Sequence, residues 1–304
     1  MKTNLILRTP LLRLSHNSGG KVFLKPENLQ PFGSYKLRGV LSAVEAASRE
    51  QIQAGLYAAS AGNMAQSVAF AAQSLNVKCE IFVPDTAPEI KKAAIRRLGA
   101  RVVELPFDKV WEMVRVKSFD TIPNGLFIHP AFTPGLREGY GAIAAEILEE
   151  RPSIDAVVVP FGVGGLTLGI GEALKRLKPD VELYACEPET AAPLAASMAH
   201  GKPMRIERIP SFVDAIGTPE VLPEVFEKVH KMVKASLVVS LEEVRQAIGL
   251  LAYQQKLICE GAAGAALAAS LKLMREYPEK EIACILTGGN LALDVLYDCF
   301  TSSP

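Results

Sequence analysis

Short apolar runs recur along the chain, each bounded by Gly, Pro or Ser and followed by a longer stretch whose apolar positions repeat at helical spacing. Residues 22–24, 56–59, 79–83, 101–105, 126–129, 156–159, 182–186 and 282–286 read as strands. Strand alternating with helix is the pattern of β-α-β units on a parallel sheet, so the fold class is α/β. Residues 88–98 carry the start and stop chemistry of a helix. Thr86 lies ahead, Pro88 and Glu89 open the first turn, Arg96 and Arg97 come late, and Gly99 terminates. The uncharged stretch 261–270 is too short to span a bilayer and suits a helix buried against a sheet. No repeat, low-complexity tract or Ser/Gly linker interrupts the pattern, so a second domain must be interwoven rather than appended.

Charge narrows the function. The 304 residues hold 33 Lys+Arg against 33 Asp+Glu, which argues against nucleic acid as a partner, since phosphate binding needs a basic surplus. No apolar run approaches the roughly 20 residues of a membrane span, so a cytoplasmic protein with no membrane partner is expected. Cys79, Cys186, Cys259, Cys284 and Cys299 are odd in number, widely spaced and mostly set in apolar segments, as reduced core thiols are. His16, His129, His200 and His230 are too far apart, and too far from any Cys, to suggest a zinc site.

Four segments carry chemistry. After the 156–159 run, Gly162, Val163, Gly164, Gly165 and Leu166 lead from a buried strand into a helix. Such a turn aims backbone N–H groups at one point near a positive helix end and suits a phosphate. On the turn alone, a phosphate cradle and a plain tight turn are equal readings. A dinucleotide fold is a third, with Gly162 and Gly164 as the first two glycines of the fingerprint and Glu187 as the ribose acid, although Thr167 stands at the third glycine position. The other three segments are Lys25-Pro-Glu-Asn-Leu-Gln-Pro-Phe-Gly-Ser-Tyr-Lys-Leu-Arg-Gly39, in which a lysine follows a Gly-Ser turn and precedes a helix pattern, Ser60-Ala-Gly-Asn-Met-Ala-Gln66 turning a strand into a helix, and Thr287-Gly-Gly-Asn290 after a buried strand. All fall at a turn or at the carboxyl end of a predicted strand, where open parallel sheets place ligands.

From Thr9-Pro-Leu11 to Thr287-Gly-Gly-Asn290, in order and spacing, these segments resemble the fold-type II pyridoxal-phosphate enzymes, in particular the threonine/serine dehydratase and serine racemase group. The resemblance implies a tryptophan synthase β-like fold of two interwoven α/β domains with parallel sheets. The larger, cofactor-binding domain takes residues 1–39 and 134–304, the smaller and mobile one takes 40–133, and the cofactor sits between them. It implies a small amino acid as the partner and a homodimer. With the chain ending soon after Thr287, no appended regulatory domain is expected.

By the same resemblance, Lys36 carries pyridoxal 5'-phosphate as a Schiff base and is the catalytic base. Gly162, Val163, Gly164, Gly165 and Leu166 cradle the phosphate, and Asn63 bonds the ring hydroxyl. Thr287 meets the ring nitrogen, where a hydroxyl, unlike a carboxylate, does not hold that nitrogen protonated. Ser60, Ala61, Gly62, Asn63 and Met64 bind the substrate, with Ser60 doubling as a helix N-cap. The implied reaction is β-elimination from a β-hydroxy L-amino acid, giving a 2-keto acid and ammonia. A β-replacement synthase of the same fold is the alternative; a nicotinamide dehydrogenase or a non-catalytic ligand-binding relative is the distant one.

The chain departs from the group at four places. Met64 stands where the pattern has His, which makes the pocket more apolar and points to a larger β-substituent, as in phenylserine. Ala61 replaces the second serine of the racemases and removes the acid/base from one face of the substrate, so racemization is disfavoured. Tyr140 replaces a glutamine between two glycines. In the cation-binding segment Glu187 and Ala191 remain, but Pro193 stands where an acid is expected. That leaves a monovalent cation rather than Mg or Ca, or Glu187 as a structural pair at a strand end. Asp214 matches a loop near the cofactor.

Overall fold

The computed structural model describes residues 5–15, 21–117 and 124–301; His16 lies outside them. Among the described residues are ten strands: β1 (Leu12–Arg13), β2 (Val22–Pro26), β3 (Leu56–Ala59), β4 (Cys79–Pro84), β5 (Arg101–Leu105), β6 (Leu126–Phe127), β7 (Ala156–Pro160), β8 (Glu182–Pro188), β9 (Val233–Val239) and β10 (Ile282–Leu286). They form two sheets in two compact units, one of Met1–Ile6 with Lys36–Tyr140 and one of Leu7–Tyr35 with Gly141–Pro304.

The larger unit has six strands in the order β1-β2-β10-β7-β8-β9, all parallel except the β1–β2 pair. Every residue of β2, β7 and β10 is buried, as a sheet covered on both faces requires. Helix Gly261–Glu276 packs on β10 and β7 and is buried throughout 261–270. Its small side chains allow helix Leu241–Gln254 to lie against it. That second helix opens on a capping box in which Ser240 and Glu243 satisfy each other's backbone N–H groups.

The smaller unit is a parallel sheet in the order β5-β4-β3-β6. Helix Asn63–Leu75 covers β3 and β4, and helix Lys36–Ala46 packs along it. Helix Lys36–Ala46 runs unbroken through residue 39, and residues 36–39 and 134–140 group with this unit.

Four strands run on through a proline. Pro26, Pro84, Pro160 and Pro188 each pair with a neighbour at the strand end, where the missing N–H costs least. The 126–129 run stops at Phe127 because the His129 N–H turns to donate to Thr133 Oγ1 at 2.7 Å. The 88–98 helix spans Glu89–Arg97, with Pro88 as N-cap rather than in the first turn. Burial pushes the Cys79 and Cys284 thiols up to about 12, away from thiolate chemistry. No helix among the described residues is long and apolar enough to cross a membrane.

Gly39 shows how tightly the smaller unit is built. A Cβ there would lie 2.3 Å from Cε1 and 2.5 Å from Cζ of the fully buried Tyr140 ring, and a Cβ at Gly139 would lie 2.4 Å from the Arg38 carbonyl oxygen. In an open helix Gly→Ala gains about 1 kcal/mol. Here overpacking reverses the sign, and Gly39→Ala is expected to destabilise the protein by about 1–3 kcal/mol in urea unfolding. A gain in stability would contradict the close crossing.

Candidate active site

Strands β2, β10 and β7 are parallel neighbours, so the segments that follow them emerge from the same end of the larger unit's sheet. After β2 the chain turns through Phe32 and Gly33, both at positive φ (61° and 67°). This turn is bonded to the exit of β10. Tyr35 N donates to the Thr287 carbonyl at 3.1 Å and Gly289 N to the Gly33 carbonyl at 2.9 Å. Asn290 Nδ2 donates to the Phe32 carbonyl at 2.8 Å. The peptide directly ahead of Lys36 is thereby fixed to the Thr287 loop.

The base of this turn holds two buried charges that the sequence reading missed. Lys25, fully buried, donates to Glu146 Oε2 at 2.6 Å and to the Thr9 carbonyl. Glu27, also fully buried, accepts from Thr9 Oγ1 at 2.7 Å and Gln30 Nε2 at 3.2 Å.

The turn after β7 carries Gly162, Val163, Gly164, Gly165 and Leu166. Gly164 sits at φ 97° as the N-cap of helix Gly165–Leu177, which receives no side-chain cap. A Cβ on Gly164 would come within 2.5 Å of Val225 Cγ1. One turn in, the buried Thr167 Oγ1 has no hydrogen-bond partner among the described residues. An uncapped helix start with bare backbone donors and an orphaned hydroxyl is a donor set for an oxyanion. The 213–217 loop lies against it, with Ile216 Cγ2 3.5 Å from where a Gly162 Cβ would be, and Asp214 on that loop is exposed.

Thr287 is 2% exposed and donates from Oγ1 to Glu260 Oε1 at 3.0 Å. Glu260 was not singled out from the sequence. Its only local signal is an acid at the N-cap of an Ala-rich helix whose first ten residues carry no charge.

In the smaller unit, the carboxyl end of β3 opens into Ser60, Ala61, Gly62, Asn63 and Met64. Gly62, not Ser60, is the N-cap of helix Asn63–Leu75. Ser60 Oγ instead accepts from Gly62 N at 3.2 Å, so the serine shapes the turn ahead of the helix. Nothing lies within 4 Å of where a Gly62 Cβ would be, while Met64 is 4% exposed. Lys36, half-buried, starts helix Lys36–Ala46 with Nζ 5.8 Å from the centroid of the Tyr140 ring. Burial raises the Tyr140 phenol above its ordinary range.

Glu187 ends β8. Its carboxylate accepts from Leu194 N and Ala195 N, each at 2.8 Å, and from Ser236 Oγ at 2.7 Å, capping helix Pro193–His200. Burial pushes this carboxyl up to about 7 against those three donors. Ala191 is buried beside it, with its N–H on the Pro188 carbonyl at 3.0 Å. No group of three or more His, Cys, Asp or Glu able to hold a metal occurs among the described residues.

Parallel sheets with an oxyanion turn, a hydroxyl and a lysine at strand exits define an α/β enzyme built for a phosphorylated cofactor. The family model "Pyridoxal-phosphate dependent enzyme" matches residues 2–288, and the chain belongs to that family. It is 36% identical over 298 residues to the L-threonine ammonia-lyase of Thermotoga maritima, covering 96% of this chain and 74% of that protein. It is 34% identical over 295 residues to human serine racemase, covering 94% and 86%. Among solved structures, the processed form of threonine deaminase isoform 2 from Solanum lycopersicum matches with a TM-score of 0.88 and 29% identity, over 98% of this chain and 89% of that one.

The residues present fit pyridoxal phosphate. The uncapped glycine turn suits its phosphate, the buried hydroxyl of Thr287 its ring, and the amine of Lys36 its aldehyde. Gly164→Ala adds a Cβ at positive φ against Val225. It is expected to cost about 1–3 kcal/mol in unfolding of the cofactor-free protein and to weaken binding in a pyridoxal-phosphate titration. Wild-type behaviour in both would contradict the close approach.

Proposed function

We propose that this chain is a pyridoxal-phosphate-dependent lyase that converts a β-hydroxy L-amino acid to a 2-keto acid and ammonia by β-elimination, favouring substrates with a bulky β-substituent such as phenylserine. One observation carries the site: the turn ahead of Lys36 is hydrogen-bonded to the Thr287 loop at the strand end from which the glycine turn also emerges. The threonine ammonia-lyase and threonine deaminase relatives support the reaction class.

Lys36 would hold the cofactor, with Gly162, Val163, Gly164, Gly165 and Leu166 on its phosphate, Asn63 on its ring hydroxyl and Thr287 on its ring nitrogen. When bound, that group supplies an electron sink that makes the substrate's α-proton acidic. Ser60, Gly62 and the Met64 N–H hold the substrate carboxylate, which the start of helix Asn63–Leu75 favours electrostatically. The Lys36 amine takes the proton from Cα, and the Cβ–O bond breaks with loss of water. The released enamino acid tautomerises to an imine, which one water molecule hydrolyses to the keto acid and ammonia. Ala61 offers no acid on the opposite face, so the α-proton is not returned with inversion.

Specificity rests on Met64. A buried thioether beside the open space over Gly62 accepts an apolar group better than a hydroxyl-bearing one. Cofactor-loaded protein is expected to release keto acid and ammonia fastest from phenylserine in a panel with L-serine, L-threonine and hydroxyaspartate, and Lys36→Ala to release none. Absence of keto acid from every member, with the cofactor spectrum still responding to amino acids, would shift the reaction to β-replacement. Met64→His is expected to move the ranking toward threonine and serine by about tenfold or more, the worth of about 1–3 kcal/mol of pocket contact. An unchanged ranking would exclude Met64 as the determinant.

A further inference from the structure

Positions 36 and 39 are one turn apart on helix Lys36–Ala46 and share a face, and both meet the ring of Tyr140. At Gly39 the bare backbone admits the ring: a Cβ there would stand 2.3 Å from Cε1, 2.5 Å from Cζ and 2.9 Å from the Leu136 carbonyl oxygen. At Lys36 the Nζ lies over the ring face, 5.8 Å from its centroid. The ring is held there. Tyr140 is fully buried, and a Cβ on the preceding Gly139 would stand 2.4 Å from the Arg38 carbonyl oxygen, so backbone packs on backbone beside it. Burial keeps the phenol protonated, and Lys36 therefore faces a neutral ring rather than a phenolate. Helix Asn63–Leu75, packed along the Lys36 helix, carries no charged residue. Helix Leu136–Glu150 brings Arg137 and Glu138 in its first turn, and the Lys36 helix itself adds Arg38 and Glu45.

The face of a neutral aromatic ring carries the negative part of its quadrupole, and a cation within about 6 Å of the centroid is attracted to it. A neutral amine has no charge to offer, so the ring favours the protonated form of Lys36 over the free one. We propose that Tyr140 is a positioning residue that acts through Lys36: its ring receives the ammonium formed when Lys36 takes the substrate's α-proton, and this strengthens Lys36 as a base. The inference rests on the proposed function, in which Lys36 takes that proton. In the step the Cα–H bond breaks, its electron pair stays with the substrate, and the proton bonds to Nζ, which becomes positive. The charge thus appears at the atom that the ring faces. Lys36 is half-buried, where water stabilises an ammonium less than in bulk, and the ring replaces part of that lost solvation. Tyr140 is also a place where the chain departs from its group, so the contact is a feature of this sequence.

The test weakens the ring without changing its shape, by Tyr140→Phe and by Tyr140→Phe in which the introduced ring carries successive fluorines. The first readout is competitive acetylation of the full-length cofactor-free chain across pH, with the Lys36 peptide followed by mass spectrometry. Wild type and Tyr140→Phe are expected to share a midpoint. It is expected to fall stepwise with fluorination, by about half a pH unit at the end of the series, a roughly threefold change in the protonation constant. Tyr140→Leu is expected at or below that end point, and the fluorinated series carries the test if Tyr140→Leu does not fold. The second readout is the cofactor-loaded protein with the β-hydroxy amino acid it turns over fastest. The step that Cα deuteration slows is expected to slow along the same series by up to about threefold. A midpoint that stays flat overturns this inference and leaves the proposed lyase standing, since a tyrosine that only packs would give it. A falling midpoint with an unchanged proton-transfer step overturns it too, because the ring then acts on the amine but not on the reaction. Borohydride trapping of the cofactor on a different lysine overturns the proposed function and this inference with it.

Discussion

The hydrogen bonds between the turn at residues 32–35 and the exit of β10 at residues 287–290 are the constraint on which the rest of the larger unit's site depends. They tie two ends of the chain together at one edge of the sheet, and they hold Phe32 in a left-handed conformation that a non-glycine residue does not favour. Lys36 follows Tyr35 directly, so its helix starts from a fixed point. The parallel pairing of β2 with β10 and of β10 with β7 then places the turn before Lys36, the Thr287 loop and the glycine turn at a common strand end. A parallel sheet delivers this convergence because each strand leaves through the same edge.

Buried charge supports that edge from below. Lys25 and Glu27 are fully buried, Lys25 paired with the partly buried Glu146 and Glu27 bonded to Thr9 and to its near neighbour Gln30. Such pairs add little net stability, but removing one partner leaves an uncompensated buried charge. The turn is thereby specified as well as tethered. Glu260 belongs to the same class of groups, since its carboxylate is placed by the N-cap of one helix and spent on a hydroxyl at the end of a strand. Glu187 shows the contrast: its carboxylate goes to two backbone donors and a serine, a set that builds a helix start.

Much of this was legible in the sequence because it is written in local chemistry. The eight strands read from apolar runs all appear, and the glycine turn, the Ser60 turn and Thr287 each lie at a strand exit, as their punctuation indicated. Two strands were not read. β1 has only two residues and exists as an antiparallel edge on β2. β9 is a half-exposed edge that carries Lys234 and Ser236, and its pairing with β8 is irregular at Leu183 and Tyr184. Neither has the uniform burial that makes an apolar run stand out. Glu260, Lys25 and Glu27 were missed for a related reason. Their roles depend on partners such as Gly288, Glu146 and Thr9, which only the folded chain brings within reach. The misassigned cap at Ser60 differs again, since the serine stands two residues ahead of the glycine N-cap and spends its hydroxyl on that glycine's own N–H, outside the helix.

The central claim is that Lys36 carries the cofactor at the point where the fixed turn ends. Borohydride reduction of the cofactor-loaded protein, followed by proteolysis and mass spectrometry, tests it directly. The account predicts a single pyridoxyl-phosphate modification, on the peptide that contains Lys36. Modification of a different lysine, or a yellow protein whose cofactor is released unreduced, would contradict it.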